Sequence, residues 1–211
     1  MNISGLLDWI YKKRCYFCKS SKECVEMCSD CYNKMLFLPI NANRIYEGVN
    51  ILCAGNYTKE LQKLIRGLKY HHKKGLAYYQ AKFMYEYWQK LGYKDSFQVV
   101  PVPLHKNRTK KRKYNHMELV ATEFCQLAGY EPNFDLIKRI KDTKPQYKLT
   151  KSERAKNLNG AFEVDKTKLK NGKVLVLDDI CTTGSTFEEI INELKKNGIS
   201  DIICFATTTP L

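Results

Sequence analysis

Val174-Leu-Val-Leu-Asp-Asp-Ile-Cys-Thr-Thr-Gly-Ser-Thr186 is the stretch that decides the fold of this chain. Its leading apolar residues predict a buried strand, and its Thr/Gly/Ser loop leads into a helix. Loop donors at a helix N-terminus are typical of a phosphate site. Because Asp178 and Asp179 precede that loop, they can accept hydrogen bonds from sugar hydroxyls or hold a hydrated Mg²⁺. One element therefore predicts both halves of a sugar-phosphate site.

The helix after this loop is predicted from apolar residues at i, i+3, i+4 and i+7, with Gly198 as its stop. These residues are Phe187, Ile190, Ile191 and Leu194. A capping box is expected, formed by Ser185 with Glu188 or by Thr186 with Glu189. The alternative is a strand, a turn and a capped helix that bind no ligand. We interpret Cys181 as a small filler and not as a nucleophile.

The rest of the chain alternates between strands and helices. Helices are predicted over 58–69, over 75–91 and from about Met117 to Gly129, and strands over 97–103, 136–139, 161–164 and 201–207. This alternation predicts an α/β fold with a mainly parallel sheet flanked by helices, and ligands at the carboxyl ends of its strands. The segment 104–115 is expected to be a loop at that same edge.

Length and composition limit the domain organisation, the location and the kind of partner that we expect. The 211 residues suit one α/β domain with a small appendage, so we predict an element at 1–45 and a main domain at 46–211. The sequence shows neither a leader nor an apolar run long enough to cross a bilayer, which predicts a soluble, cytoplasmic protein. The 36 basic and 22 acidic residues leave a formal charge of +14, which favours a polyanionic partner. The alternative is an ordinary solvated surface.

Two C-x-x-C pairs lie near the start of the chain, Cys15 with Cys18 and Cys28 with Cys31. Four thiolates at this spacing match tetrahedral Zn²⁺ in a closed structural site, and metal binding should drive the folding of so small an element. Disulfides and a redox dithiol are the alternatives, and an intracellular setting disfavours the first. Cys24 breaks the paired pattern and is left out of the ligand set.

Basic residues concentrate in two stretches. Residues 106–113 carry six basic side chains and no acid. We expect a nucleic-acid contact at Lys110, Lys111, Arg112 and Lys113, with the ring of Tyr114 available for stacking on a single strand. The second stretch, 138–156, carries eight basic residues and two acids. No partner can be identified for His105 or His116, and neither is predicted to be a catalytic base.

The thirteen-residue stretch resembles the signature of the type I phosphoribosyltransferases, which bind phosphoribosyl pyrophosphate (PRPP). The order of the other motifs resembles the ComF family of competence proteins, of the ComFC type. The motifs are the cysteine pairs, Leu-Lys69-Tyr, Pro-Val-Pro-Leu-His-Lys-Asn-Arg108, Arg112-Lys-Tyr-Asn-His116, Arg139, Gln146 and Arg154-Ala-Lys-Asn-Leu-Asn-Gly-Ala-Phe162. The chain departs from the family in having Lys113 where Gly is usual, which puts the geometry of that loop in question.

The resemblance implies a role for several residues. Asp178 and Asp179 would contact the ribose, and residues 106–108 (Lys106, Asn107 and Arg108) would bind pyrophosphate with Mg²⁺ present. The 5′-phosphate would lie on Thr182, Thr183, Gly184, Ser185 and Thr186. Residues 139–160 would form a mobile loop over the site.

The resemblance also implies a function, the handling of single-stranded DNA in natural transformation, with a competence helicase or uptake machinery as possible partners. An active phosphoribosyltransferase that acts on a nucleobase or another acceptor is the alternative, so enzymatic turnover is left open. A regulator that senses PRPP and binds nucleic acid is a third class, which the sequence does not separate from the first.

Overall fold

The structure is a computed structural model that describes residues 13–23, 25–40, 43–142, 157–170 and 172–210. Its strands are β1 (Arg44–Tyr46), β2 (Val49–Asn56), β3 (Gln98–Pro101), β4 (Glu131–Pro132), β5 (Ile137–Arg139), β6 (Phe162–Val164), β7 (Lys173–Ile180) and β8 (Asp201–Thr209). Its helices are α1 (Ser29–Tyr32), α2 (Lys59–Tyr70), α3 (Leu76–Leu91), α4 (Lys106–Arg112), α5 (His116–Ala128) and α6 (Ser185–Lys196), with a 3₁₀ turn at Lys166–Lys168.

The central sheet has the strand order β1-β2-β8-β7-β3-β4. Only the β1–β2 pair is antiparallel among these strands, and the other neighbours run parallel. The small β5–β6 pair forms a second, antiparallel sheet. The predicted fold class, a mainly parallel sheet flanked by helices, is thus confirmed.

Alternating side chains of β7 build a core on each face of the sheet. Leu175 and Leu177 face the cluster formed with α2, α3 and α5. Val174 and Val176 face the cluster formed with α6 and the β5–β6 sheet. Because both faces are covered, β7 reads as a continuous apolar run, as expected for a central parallel strand.

The predicted helices form close to their expected bounds because their ends carry the right residues. Thr58 caps α2 through its side chain, which accepts from the Leu61 N–H at 3.4 Å. Helices α3 and α5 end at Gly92 and Gly129, which adopt φ values of +73° and +69°. Glycine commonly occupies the left-handed position at the end of a helix. Among the described helices, none is both long and apolar enough to cross a bilayer.

Two differences from the sequence predictions concern local structure. The patterns above do not predict β1, β2, β4 or the short helix α1. The segment 104–115 is not a loop throughout, because Lys106–Arg112 forms α4. Lysine and arginine are good helix formers, so a basic run between two loops can form a short helix.

The cysteine element packs on the main core. Cys15, Met27, Cys28 and Cys31 belong to the same apolar cluster as helices α2 and α3. A Cβ at Gly67 would lie 2.5 Å from Leu76 Cδ1 and 3.1 Å from Tyr16 Cε1, so only glycine allows this approach. The boundary predicted between 45 and 46 falls within β1 and stays a prediction.

Candidate functional site

The two acids of the signature end β7 at the carboxyl edge of the sheet, where they face opposite sides. Asp178 is half-buried and lines a pocket with the loop that follows it. Asp179 is buried, 4% exposed, on the face covered by α2 and α5. This division follows from the alternation of side chains along a strand. The two acids therefore meet different surroundings.

Asp179 is held by two basic side chains. The Lys69 ammonium lies 2.5 Å from Asp179 Oδ2, and the His116 ring, through Nε2, hydrogen-bonds to the same oxygen. Lys69 is the penultimate residue of α2, and His116 is the first residue of α5, where Asn115 caps the helix. The contact, which we call the Asp179 clamp, ties two helices to β7 directly beside the pocket.

The clamp separates the acidities of the two carboxyl groups. Burial opposes ionisation of Asp179, but the Lys69 ammonium and the His116 ring hold its pKa below its ordinary value. Burial and the charge of Asp179 raise the pKa of Asp178 to about 7. Asp179 is therefore the ionised member of an internal ion pair with Lys69. Asp178, in contrast, is expected to release its proton when a cation binds nearby.

Two arginines complete the charged surroundings of Asp178. Arg139 ends β5 and is 8% exposed. Burial and the nearby charge of Arg108 lower the pKa of Arg139 to about 10, and Asp178 acts in the opposite direction. An arginine with that pKa stays charged at neutral pH. The charge of Arg139 thus acts on Asp178, and Arg108 lies close enough to Arg139 to lower its pKa.

The loop after β7 is shaped by Gly184, which adopts φ +90° and precedes the first residue of α6. The Thr183 and Ser185 hydroxyls lie 2.9 Å apart and share a hydrogen bond. The pocket formed here is small, with a cavity volume of about 10 Å³. Its lining residues are Asp178, Ile180, Cys181, Thr182, Thr183, Gly184, Ser185, Thr186 and Phe187.

The expected capping box is wrong. Gly184 is the N-cap of α6, so no side chain caps the helix there. Glu189 instead accepts from the Gly160 N–H at 2.6 Å, and Arg44 Nη1 donates to the Thr182 carbonyl at 3.0 Å. The loop is therefore braced by distant segments, and within it the Ser185 N–H donates to Thr183 Oγ1 at 3.4 Å.

Helix α4 carries Arg108, which is close enough to Arg139 to lower its pKa. Asn107 Nδ2 donates to Asp142 Oδ2 at 2.5 Å, and His105 Nδ1 lies 3.4 Å from Asp142 Oδ1. Lys106 and Asn107 are exposed. The structure thus brings Arg108 near Arg139 and leaves the exposed Lys110 and Lys113 farther along the same segment.

Lys113 occupies the position where the family usually has Gly, and it adopts φ +67°. This left-handed backbone costs a lysine roughly 1 kcal/mol, whereas glycine adopts it freely. Tyr114 is less available for stacking than expected. Its hydroxyl donates to the Leu68 carbonyl, and its ring lies beside His72 and Lys74.

The four paired cysteines meet in space. The Sγ atoms of Cys15, Cys18, Cys28 and Cys31 all lie within 4.8 Å of one another. All four are free thiols, so the disulfide alternative does not hold for them. The pairing of two C-x-x-C turns into one cluster is what the spacing predicts.

Sequence reasoning missed the Asp179 clamp although one signal was present. Lys69 stands four residues after Ile65 on the apolar face of α2, where a lone charge indicates a buried partner. His116 offers a weaker signal. It is the first residue of a helix whose buried face is otherwise formed by apolar and sulfur-containing side chains. Of the predicted residues, Cys24 and 143–156, with Gln146 and Arg154, lie outside the described part of the chain.

The two acids should respond to pH with opposite signs. In Mg²⁺-free buffer we expect Asp178→Asn to gain stability relative to wild type between pH 5 and pH 8. The folded pKa of Asp178, about 7, exceeds the unfolded value of about 3.9, so wild-type stability is lost as pH rises through 7. Urea unfolding at both pH values measures this.

Asp179→Asn should instead destabilise the protein at both pH values, by about 3 kcal/mol, because it leaves Lys69 and His116 without their carboxylate. Its lowered pKa means that its contribution is present above about pH 4 and is lost only on further acidification. Asp201→Asn, at the opposite edge of the sheet, is the matched control. Identical pH responses of Asp178→Asn and Asp179→Asn would contradict the division of roles.

Comparisons with known proteins agree with this architecture. Residues 119–209 match the Phosphoribosyl transferase domain family. Competence protein F of Haemophilus influenzae is 29% identical over 159 residues, which cover 70% of this chain and 67% of that protein. DNA utilization protein YhgH of Salmonella typhimurium is 26% identical over 156 residues, covering 72% and 68%.

A solved structure, adenine phosphoribosyltransferase from Thermoanaerobacter pseudethanolicus, aligns with 85% of this chain and 98% of its own, at 12% identity and a TM-score of 0.39. The similarity to Competence protein F and YhgH, together with the matched domain, agrees with the resemblance that the sequence motifs show. The chain therefore contains a phosphoribosyl transferase domain and is similar in sequence to a competence protein and a DNA utilization protein.

Proposed function

We propose that this protein binds PRPP with Mg²⁺ in the Asp178 pocket and handles single-stranded DNA on the adjoining basic segment. The observation that carries the proposal is the pocket itself. One carboxyl group, a hydroxyl-rich loop and the start of a twelve-residue helix converge there at the carboxyl edge of a parallel sheet. Sugar phosphates bind at this place in α/β folds.

The 5′-phosphate fits the loop Thr182–Thr186. The N–H groups at the start of α6 and the hydroxyls of Thr183 and Ser185 are donors, and the helix dipole favours an anion there. Arg108 and Arg139 would attract the pyrophosphate, with Lys106 and Asn107 at the exposed rim. Each group binds and orients a ligand, and no side-chain nucleophile is required.

Mg²⁺ fits the donor set at Asp178 better than at Asp179. Carboxylate oxygens are its usual protein ligands, and it keeps several waters. Asp178 lines the pocket, whereas Asp179 Oδ2 is engaged by Lys69 and His116. When bound, the metal would supply positive charge for the pyrophosphate. Asp179 would act by positioning the edge of the sheet.

Asp178→Asn is expected to weaken PRPP binding and to remove most of its dependence on Mg²⁺, because it deletes the carboxylate that faces the pocket. Calorimetric titration of PRPP with and without Mg²⁺ measures both effects. Asp201→Asn should bind as wild type does. An unchanged affinity of Asp178→Asn at equal Mg²⁺ would refute the assignment.

The names of the relatives, a competence protein and a DNA utilization protein, support a DNA-handling role. The basic segment 106–113 supplies the electrostatic means, because phosphate neutralisation drives the binding of single strands. Its exposed lysines, Lys110 and Lys113, lie beyond the Arg108 end that faces the pocket.

DNA affinity should fall steeply with salt, with a log–log slope of roughly −0.7 per phosphate contacted. Replacing Lys110, Lys111 and Lys113 with Gln should flatten this slope by about two units if each lysine contacts a phosphate. Fluorescence anisotropy of a labelled oligonucleotide at several salt concentrations measures it. Replacing Lys166, Lys168 and Lys170, exposed near the amino end of β7, is the matched control. A triple variant with the wild-type slope would contradict the proposal.

An active phosphoribosyltransferase is the second candidate. The β5–β6 sheet supports it, because it packs against α6 and carries Arg139, whose charge acts on Asp178. A PRPP consumption assay with bases, ammonia and single-stranded DNA distinguishes turnover from binding alone.

We also infer that the cysteine cluster holds structural Zn²⁺. Tetrahedral coordination at about 2.3 Å places sulfurs about 3.8 Å apart. Cys18 Sγ and Cys28 Sγ lie 3.6 Å apart, and the whole set lies within 4.8 Å. Four thiolates fill the coordination sphere, so the site suits structure and not catalysis.

Elemental analysis of protein purified without chelator should find one Zn²⁺ per chain. Cys28→Ser should lose the metal and lower the melting temperature, because metal binding supplies folding free energy. Cys125→Ala, at a buried thiol outside the cluster, should keep the full zinc content. Metal-free wild-type protein would refute this inference.

A further inference from the structure

We propose that a second surface, formed by the cysteine element, α2 and the turn after α2, binds the same single strand of DNA as α4. We call it the knuckle strip and define it by Tyr16, Phe17, Lys19, Lys63, Tyr70, Lys73 and Lys74. This inference rests on the proposed DNA-handling function and extends it to a surface that the sequence motifs did not indicate.

Cations and aromatic rings alternate at the cysteine end of the strip. Lys63 Nζ donates to the Phe17 carbonyl at 3.0 Å and lies 5.5 Å and 5.4 Å from the ring centroids of Tyr16 and Phe17. Lys19 Nζ lies 5.2 Å from the Tyr16 ring centroid. Positive charge beside half-buried rings is the composition of surfaces that bind single strands.

The strip continues without a break to the basic segment. Tyr16 Oη and His71 Nδ1 are 2.5 Å apart, which joins the cysteine element to the turn after α2. In that turn, the His72 ring lies 6.1 Å from the Tyr114 ring, and Lys74 Nζ lies 5.1 Å from the Tyr114 centroid. Tyr114 directly follows the segment 106–113. A chain of contacts therefore links the two basic surfaces.

The charge of the strip is unbalanced. Residues 61–74 contain five lysines and arginines, two histidines and no acid. Within the described residues, none of Lys19, Lys63, Lys73 or Lys74 lies within 4.0 Å of a carboxylate oxygen. The nearby acids are otherwise placed, since Glu23 accepts from Ser29 and Glu26 lies against Gly75. Such a surface attracts a polyanion.

Tyr70 favours a single strand over a duplex. It ends α2 with 59% of its surface exposed, within the same acid-free run. An exposed ring offers a face for an unpaired base, whereas bases in a duplex are already stacked. The strip is therefore expected to contribute phosphate contacts through its lysines and a stacking contact through Tyr70.

Anisotropy titrations of labelled oligothymidylate with the zinc-loaded protein test the strip. Replacing Lys63, Lys73 and Lys74 with Gln should weaken binding and flatten the salt slope by about two units. Tyr70→Ala should weaken binding on the order of tenfold with the slope unchanged, because a neutral ring releases no counterions. The Lys166, Lys168 and Lys170 triple variant is the charge-matched control, and zinc content and melting temperature verify folding.

The outcomes of these titrations distinguish a failure of the knuckle-strip proposal from a failure of the proposed DNA-handling function. If the strip variants bind as wild type does while the 110/111/113 variant weakens, the strip is refuted and DNA handling stands. If wild type does not bind, or if neither set of lysines matters, the DNA-handling function itself fails. If duplex binds as tightly as the single strand and Tyr70→Ala changes nothing, the stacking contact is refuted.

Discussion

The buried carboxylate of Asp179 is the constraint on which the carboxyl edge of the sheet depends. A charge removed from water is costly unless it is paired and hydrogen-bonded, and Asp179 receives both Lys69 and His116. These residues come from the end of one helix and the start of another. Three segments far apart in sequence must therefore arrive together before the charge is compensated.

The clamp also explains why two adjacent acids need not share a role. With Asp179 neutralised from inside, the negative charge that remains to be compensated is that of Asp178, which faces the pocket. Burial and the charge of Asp179 raise its pKa to about 7, so its ionisation is costly until a cation arrives. Ligand binding at such a site is coupled to proton release. The contact that stabilises this end of the sheet therefore also leaves Asp178 with a raised pKa.

The sequence alone predicted those elements whose formation depends on residues close together in the chain. The β7 strand, helix α6 and the cysteine cluster follow from an apolar run, an i, i+3, i+4 pattern and a ligand spacing. The clamp could not be predicted in full, because Lys69 and His116 lie 110 and 63 residues from Asp179 and only packing of the core joins them. The wrong capping box has a similar cause, since the distant Gly160 N–H uses Glu189.

Lys113 shows that surrounding contacts can hold a residue other than glycine in a left-handed conformation. The backbone there is left-handed, φ +67°, which glycine adopts without cost and lysine does not. The two residues that follow this position are anchored, since Tyr114 donates to the Leu68 carbonyl and Asn115 caps α5. The surrounding contacts therefore impose the turn. In exchange for the strain, the chain gains a positive charge at the junction between the segment 106–113 and the knuckle strip, where a bound strand would have to pass.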